Sequence, residues 1–127
     1  ELTRSGRDSL LTRQDAGSWP NSFRSARFIP AVEYIQANRV RRLLQEEMHR
    51  TLAGVDAYVA PTSAGPNLVI TNLTGHPCVV LPNGFDKDGH PTSITFMGRL
   101  YDEATVLAVA KAYQNATDFH KKHPKGY

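Results

Sequence analysis

The longest regular hydrophobic pattern in this chain lies between Pro30 and Gly54. Apolar residues recur there at three- and four-residue spacing, at Ala37, Val40, Leu44, Met48 and Leu52. This spacing predicts an amphipathic α-helix, because residues three and four apart share one helix face. Proline is tolerated in a first helical turn and glycine often ends a helix, so we expect Pro30 to open it and Gly54 to cap it in the left-handed conformation.

A second helical pattern follows Asp102, a residue type favoured at helix N-caps. Its predicted buried side consists of Val106, Val109, Tyr113 and Ala116. Lys121 and Lys122 are expected near the negative end of the helix dipole, and Pro124 is expected to end the helix.

Three short apolar runs between these helices predict strands. The run "DAYVAP" at 56–61 follows the first helix and predicts a buried strand in a βαβ-type layout, while "TSAGPNLVIT" at 62–71 predicts a loop. The run "CVVL" at 78–81 predicts another buried strand, and "TSITFMG" at 92–98 completes a hairpin across the turn "DKDGH". The expected fold class is α/β, with a few strands flanked by helices.

The first 29 residues show no such periodicity. They contain Gly6, Gly17, Pro20 and scattered arginines, which predicts an irregular arm over 1–29 that precedes an α/β segment over 30–127.

Composition narrows the class of protein. The chain has 127 residues, 40% of them hydrophobic, and a net charge of +3 that is too small and too dispersed to indicate nucleic-acid binding. A lone cysteine, Cys78, excludes an internal disulfide; we expect it to be a small buried hydrophobe in a reducing, cytoplasmic setting. The sequence has no apolar run long enough for a membrane span and no signal-like start, so no membrane association is expected.

The residues alone indicate little chemistry. His120 and His123 are three residues apart, but the five histidines do not supply the three or four convergent ligands that a metal site needs. No nucleophile elbow or glycine-rich phosphate loop occurs, so neither a metal nor a cofactor is predicted. His76 is expected to belong to a turn. Thr62 and Ser63 follow a strand end, where α/β proteins often bind ligands, although loop caps are the commoner role there. No residue is assigned a catalytic role.

Longer motifs carry a family resemblance. The stretch "LTGHPCVVLPNGF", followed by "GHPTSITFMGRLYDEATVLAVAKAYQNATDFHKKHP", closely resembles the C-terminal end of amidase-signature enzymes. The stretches "VEYIQANRVRRLLQEEM" and "VDAYVAPT" are similar to the helix and strand that precede it in that family. The resemblance covers roughly residues 28–124 and implies the C-terminal part of the family's mixed-sheet fold.

The resemblance also implies a chemistry, which is carboxamide hydrolysis or transfer by a serine, a bridging serine with a cis peptide bond, and a lysine base. Family members carry these residues in a Gly/Ser-rich segment, which this sequence lacks. We therefore expect a C-terminal fragment, beginning at Glu1 rather than Met, that is inactive alone and needs the missing N-terminal catalytic portion. The implied ligand is a small amide, and the loop Thr62–Thr71 is expected to face its pocket, with Thr62 and Ser63 as candidate substrate contacts.

Two alternatives stay open. The first is a fragment of the A subunit of a tRNA-dependent amidotransferase. Such subunits usually carry an Asp-Ile-Phe-Thr type motif where this sequence has "GPNLVITNLTG". The absence of the aspartate from this stretch argues against the amidotransferase alternative. The second is a non-catalytic binding or structural α/β module. A piece of a larger sheet would also expose a strand edge and an apolar face, through which a homodimer could form.

Overall fold

The computed structural model describes residues 1–62 and 65–124. The chain divides into two compact units, Glu1–Val40 and Arg41–Tyr127. Among the described residues, no helix is both long and apolar enough to cross a membrane.

The first unit contains more regular structure than the irregular arm expected over 1–29. It has a 3-10 helix at Arg7–Leu10 and an α-helix, α1, at Trp19–Ala26, with Pro20 in its first turn. Arg24 on α1 donates from Nε to Oδ2 of the buried Asp8 at 2.6 Å. Trp19 and Phe23 of α1 stack with ring centroids 5.6 Å apart, but the eight residues of this helix are too short a run for hydrophobic periodicity to reveal it.

The long helix predicted after Pro30 is present as α2, at Ala31–Thr51. Its expected stripe is only partly covered, since Leu52 is buried, Leu44 and Met48 are half-buried, and Val40 is exposed. Gly54 is not among the glycines with positive φ, so the left-handed cap expected there is absent.

The second unit is built on a three-stranded antiparallel sheet in the order β1-β3-β2. The strands are β1 at Ala57–Pro61, β2 at Cys78–Phe85 and β3 at Pro91–Gly98. The α/β class and the β2–β3 hairpin are confirmed, with Gly89 at φ +85° in the connecting turn. The expected βαβ-type layout is wrong, because β1 runs antiparallel to its only neighbour within the described sheet, β3.

The expectation of buried strands is wrong for β1 and β2. Both lie at sheet edges and alternate between half-buried and exposed residues, whereas β3 ends in a buried run over 95–98. Cys78, expected to be buried, is exposed. A short apolar run does not reveal whether its strand lies at the centre or the edge of a sheet, since that depends on pairing with distant residues.

The segment predicted as a loop over 62–71 is helical from Asn67 onward. Helix α3 occupies Asn67–Thr74, with Pro66 before it and Gly75 after it at φ +83°. Proline at the start and glycine at the end are ordinary helix boundaries, but the β-branched residues between them concealed the helix.

The core of the second unit lies between the sheet and α4, at Glu103–Ala116. Its buried residues are Phe96, Val106 and Ala110, surrounded by half-buried Val79, Leu81, Ile94 and Tyr113. Val109 and Ala116, predicted on the buried side, are exposed, and Ala110 takes the inner position.

Helix α4 also ends earlier than expected. A 3-10 helix at Phe119–Lys121 follows it, so Lys121 and Lys122 lie beyond the last turn of α4 and not at its dipole. Lys122 instead pairs with Asp118 at 2.8 Å.

Candidate functional site

The face of the sheet away from α4 carries the buried hydroxyl of Thr95 and the side chains that hydrogen-bond near it. Ile94 and Phe96 of β3 pack toward α4, and alternation along a strand therefore directs Ser93, Thr95 and Met97 to the other side. We call this the polar face. It places Thr62 beside Ser93 and Thr95, more than 30 residues away in sequence.

Three hydroxyl groups on the polar face form one connected set, Thr62, Ser93 and Thr95, which we call the hydroxyl cluster. Ser93 Oγ donates to Thr62 Oγ1 at 2.8 Å, and Thr62 Oγ1 lies 3.0 Å from Thr95 Oγ1. Thr95 is 3% exposed, whereas Thr62, one residue beyond β1, is only half-buried. Ser93 is half-buried as well, so an external molecule can reach Thr62 and Ser93 but not Thr95.

The structure places one of the two residues singled out from the sequence as substrate contacts. Thr62 lies in the hydroxyl cluster, and Ser63 lies outside the described residues. The sequence pointed to Thr62 but gave no sign of Ser93 and Thr95, because only pairing of β1 with β3 brings them to it.

A second polar connection joins α3 to the sheet. Tyr58 donates its hydroxyl to Asn67 Oδ1 at 2.9 Å, and Asn67 Nδ2 donates to Met97 Sδ at 2.8 Å. Burial, with a smaller contribution from nearby Cys78, raises the pKa of the Tyr58 phenol, so it remains a hydrogen-bond donor at neutral pH. These contacts fix the start of α3 just after the segment that contains Thr62.

The other end of α3 is held by α2. The Arg41 guanidinium donates to the Leu73 carbonyl, and Gln45 Nε2 donates to the Thr74 carbonyl at 3.1 Å. These donors satisfy carbonyl groups that a helix leaves free at its C-terminus. Helix α3 is thus anchored at both ends within the second unit.

His76 follows α3 and is 7% exposed. Its Nδ1 lies 2.7 Å from the Thr74 hydroxyl, and burial lowers the pKa of the imidazole. These contacts support the turn role expected for His76 from the sequence.

Asp86, Asp88 and His90 of the hairpin turn bring their potential ligand atoms within 4.8 Å of one another. All three are exposed, and the Asp86 carboxylate already accepts hydrogen bonds from the Asp88 and His90 amides and the His90 ring. The His90 amide is the main cause of the lowered pKa of Asp86. The group stabilises the turn, and we assign no metal to it.

The polar face presents hydroxyl and amide groups, but its described residues have no means of activating a nucleophile. Ser93 donates to another hydroxyl and not to a base, whereas nucleophilic serines require an adjacent base. Hydroxyl and amide groups are suited to hydrogen-bonding a polar ligand such as a carboxamide.

Curated proteins similar in sequence to this chain were found. No family model matches the chain. The A subunit of glutamyl-tRNA(Gln) amidotransferase from Thioalkalivibrio sulfidiphilus is 32% identical over 113 residues, 74% of this chain and 23% of that protein. The Microcystis aeruginosa protein of the same name is 34% identical over 110 residues, 72% of this chain and 23% of that protein. The chain thus spans 23% of the length of these curated relatives.

A solved structure supports the fold. An amidase family protein from Bacillus anthracis matches with a TM-score of 0.67 and 20% identity, over 79% of this chain and 20% of that one. The sequence motifs, the curated relatives and this shared fold together place the chain with the C-terminal portion of amidase-signature proteins.

Proposed function

We propose that this chain is the C-terminal α/β segment of an amidase-type hydrolase that cleaves a small carboxamide. One observation carries the proposal. The family motifs occur in order over roughly residues 28–124, and 74% of the chain matches 23% of an amidase-signature relative. The catalytic serines and lysine then belong to a portion of the protein outside these 127 residues, and this segment requires no cofactor.

The chain contributes part of the wall of the substrate pocket. Thr62, and with it Ser63, is proposed to contact the substrate from the segment between β1 and α3. Support comes from the half-buried position of Thr62 and from the anchoring of α3 at Asn67, which holds the following end of this segment.

A second candidate is the corresponding segment of an amidotransferase A subunit. The curated relatives bear the name of glutamyl-tRNA(Gln) amidotransferase, which favours amide transfer to glutamyl-tRNA(Gln) within a complex of subunits. Against it stands the sequence "GPNLVITNLTG", which lacks the acid typical of such proteins.

The partner proposed for this chain is the N-terminal catalytic portion of the same protein, in the cytoplasm. Apolar side chains exposed on α3, among them Leu68, Val69 and Leu73, provide surface for such a partner to cover.

The decisive test compares the full-length gene product with the isolated 127-residue chain in an ammonia-release assay on simple carboxamides. We expect hydrolysis only by the full-length protein. Amidase activity in the isolated chain that survives repurification would overturn the proposal.

A matched assay separates the two candidates. The full-length protein is incubated with glutamyl-tRNA(Gln), with and without partner subunits from the same source. Amide transfer that needs those partners, without hydrolysis of simple amides, would favour the amidotransferase. No activity in either assay would favour a non-catalytic module.

A further inference from the structure

We propose that the Thr62 hydroxyl is a committed hydrogen-bond donor to an oxygen atom of the bound ligand, held in that state by Ser93 and Thr95 as positioning residues. The inference deepens the proposed function and rests on it for the identity of the ligand, whose carboxamide carbonyl oxygen would accept this hydrogen bond.

A hydroxyl group has one proton to donate and two lone pairs that accept. Ser93 Oγ donates to Thr62 Oγ1 at 2.8 Å and therefore occupies one of the Thr62 lone pairs.

The Thr95 hydroxyl occupies the second lone pair of Thr62 Oγ1. The Thr95 side chain is 3% exposed. Among the described residues, the Thr95 hydroxyl has Thr62 Oγ1, 3.0 Å away, as its hydrogen-bond partner. A buried hydroxyl proton without an acceptor is costly, so Thr95 donates to Thr62. Both lone pairs of Thr62 are then engaged.

The Thr62 proton has no acceptor left within the hydroxyl cluster. Because Thr62 is half-buried, this proton can point away from the cluster toward a ligand. Accepting two hydrogen bonds also polarises the hydroxyl and strengthens its own donation. The site should therefore favour an oxygen acceptor and reject a group that can only donate.

Neutron diffraction of the deuterated full-length protein tests the donor assignment without any assay of activity. We expect the deuterons of Ser93 and Thr95 to point at Thr62 Oγ1, and the Thr62 deuteron to point away from both. A Thr62 deuteron on the line to Thr95 Oγ1 would overturn the inference.

Kinetics of the full-length enzyme on a carboxamide test the role in binding. Loss of one neutral hydrogen bond should raise KM about three- to tenfold in Thr62→Val, with kcat nearly unchanged, because the contact is made equally in the bound substrate and transition state. Thr62→Ser should restore a KM near that of the wild type. An unchanged KM in Thr62→Val would contradict the inference.

Thr92→Val is the matched control, since Thr92 lies on the same strand and its hydroxyl donates to Asn83, outside the hydroxyl cluster. KM should stay at the wild-type value in this variant. Should the full-length protein hydrolyse no amide, the proposed function fails, while the neutron map still decides whether Thr62 is a committed donor.

Discussion

At the scale of single residues, His76 is the one buried histidine in the part of the chain that the structure describes. It is buried after the C-terminus of α3, and its ring nitrogen contacts a Thr74 hydroxyl that also donates to the Ile70 carbonyl at 2.8 Å. A charged imidazole at this position loses solvation, which lowers its pKa below the usual value. The junction between α3 and β2 is therefore built around a neutral histidine.

This environment predicts a loss of stability on acidification. An unfolded histidine binds a proton near pH 6.5, whereas folded His76 binds one only at lower pH, so the unfolded state takes up more protons in that window. The free energy of unfolding should fall as the pH drops below about 6.5 and keep its full value above it. Urea unfolding from about pH 7.5 to about pH 5 measures this change.

His76→Gln should flatten that pH dependence, and His49→Gln, on the exposed surface of α2, is the matched control. An identical pH profile in the wild type and His76→Gln would show that His76 does not carry the effect.

At the scale of elements, the close approach of α4 to the sheet depends on Gly98, which has no side chain. A Cβ atom built on Gly98 of β3 would meet Val106 Cγ2 far inside van der Waals distance, and Val106 is 2% exposed on the inner side of α4. The helix therefore packs directly over the backbone at the end of β3. Phe96 and Ala110 complete this contact.

Gly98→Ala should destabilise the protein by about 1–3 kcal/mol, because an added methyl group in a filled core displaces its neighbours. Chemical denaturation measures the effect. Gly54→Ala is the control, since a Cβ there meets no atom within 4 Å.

A second substitution separates crowding from backbone effects. Gly98→Ala combined with Val106→Ala should cost less than the sum of the two single changes, because the smaller side chain makes room for the new methyl group. Strict additivity would argue against the steric explanation.

At the scale of the whole molecule, large apolar side chains remain uncovered. Leu68 and Val69 of α3 are 51% and 60% exposed, and Val80 of the edge strand β2 is 48% exposed. Exposed apolar groups beside an unpaired strand edge favour association with another surface.

The isolated chain should therefore self-associate in a concentration-dependent way, as measured by light scattering coupled to size exclusion. Leu68→Glu should shift it toward the monomer, because the charge opposes burial of that surface. Asn72→Glu adds the same charge to α3 without removing an apolar group and is the control. A strict monomer at all concentrations would contradict the expectation.

The sequence predicted elements well wherever a local pattern was sufficient. Pro30 and the apolar spacing after it located α2, and Asp88-Gly89 located the turn of the β2–β3 hairpin. It failed where the outcome depended on distant partners. The β-branched residues of α3 concealed a helix whose Asn67 is fixed by Tyr58 and Met97, nine and thirty residues away.

Motif order, turn residues and helix periodicity are local properties of the chain, and they were sufficient to predict the class of fold and the family resemblance. The role of the segment at Thr62 in substrate binding stays a prediction. Three features became visible only in the folded molecule. They are the antiparallel sheet, the exposure of Cys78 on an edge strand, and the position of Ser93 and Thr95 beside Thr62. Those features arise when β3 pairs with both of its neighbours, and the energy of such pairing depends on residues that are far apart in sequence.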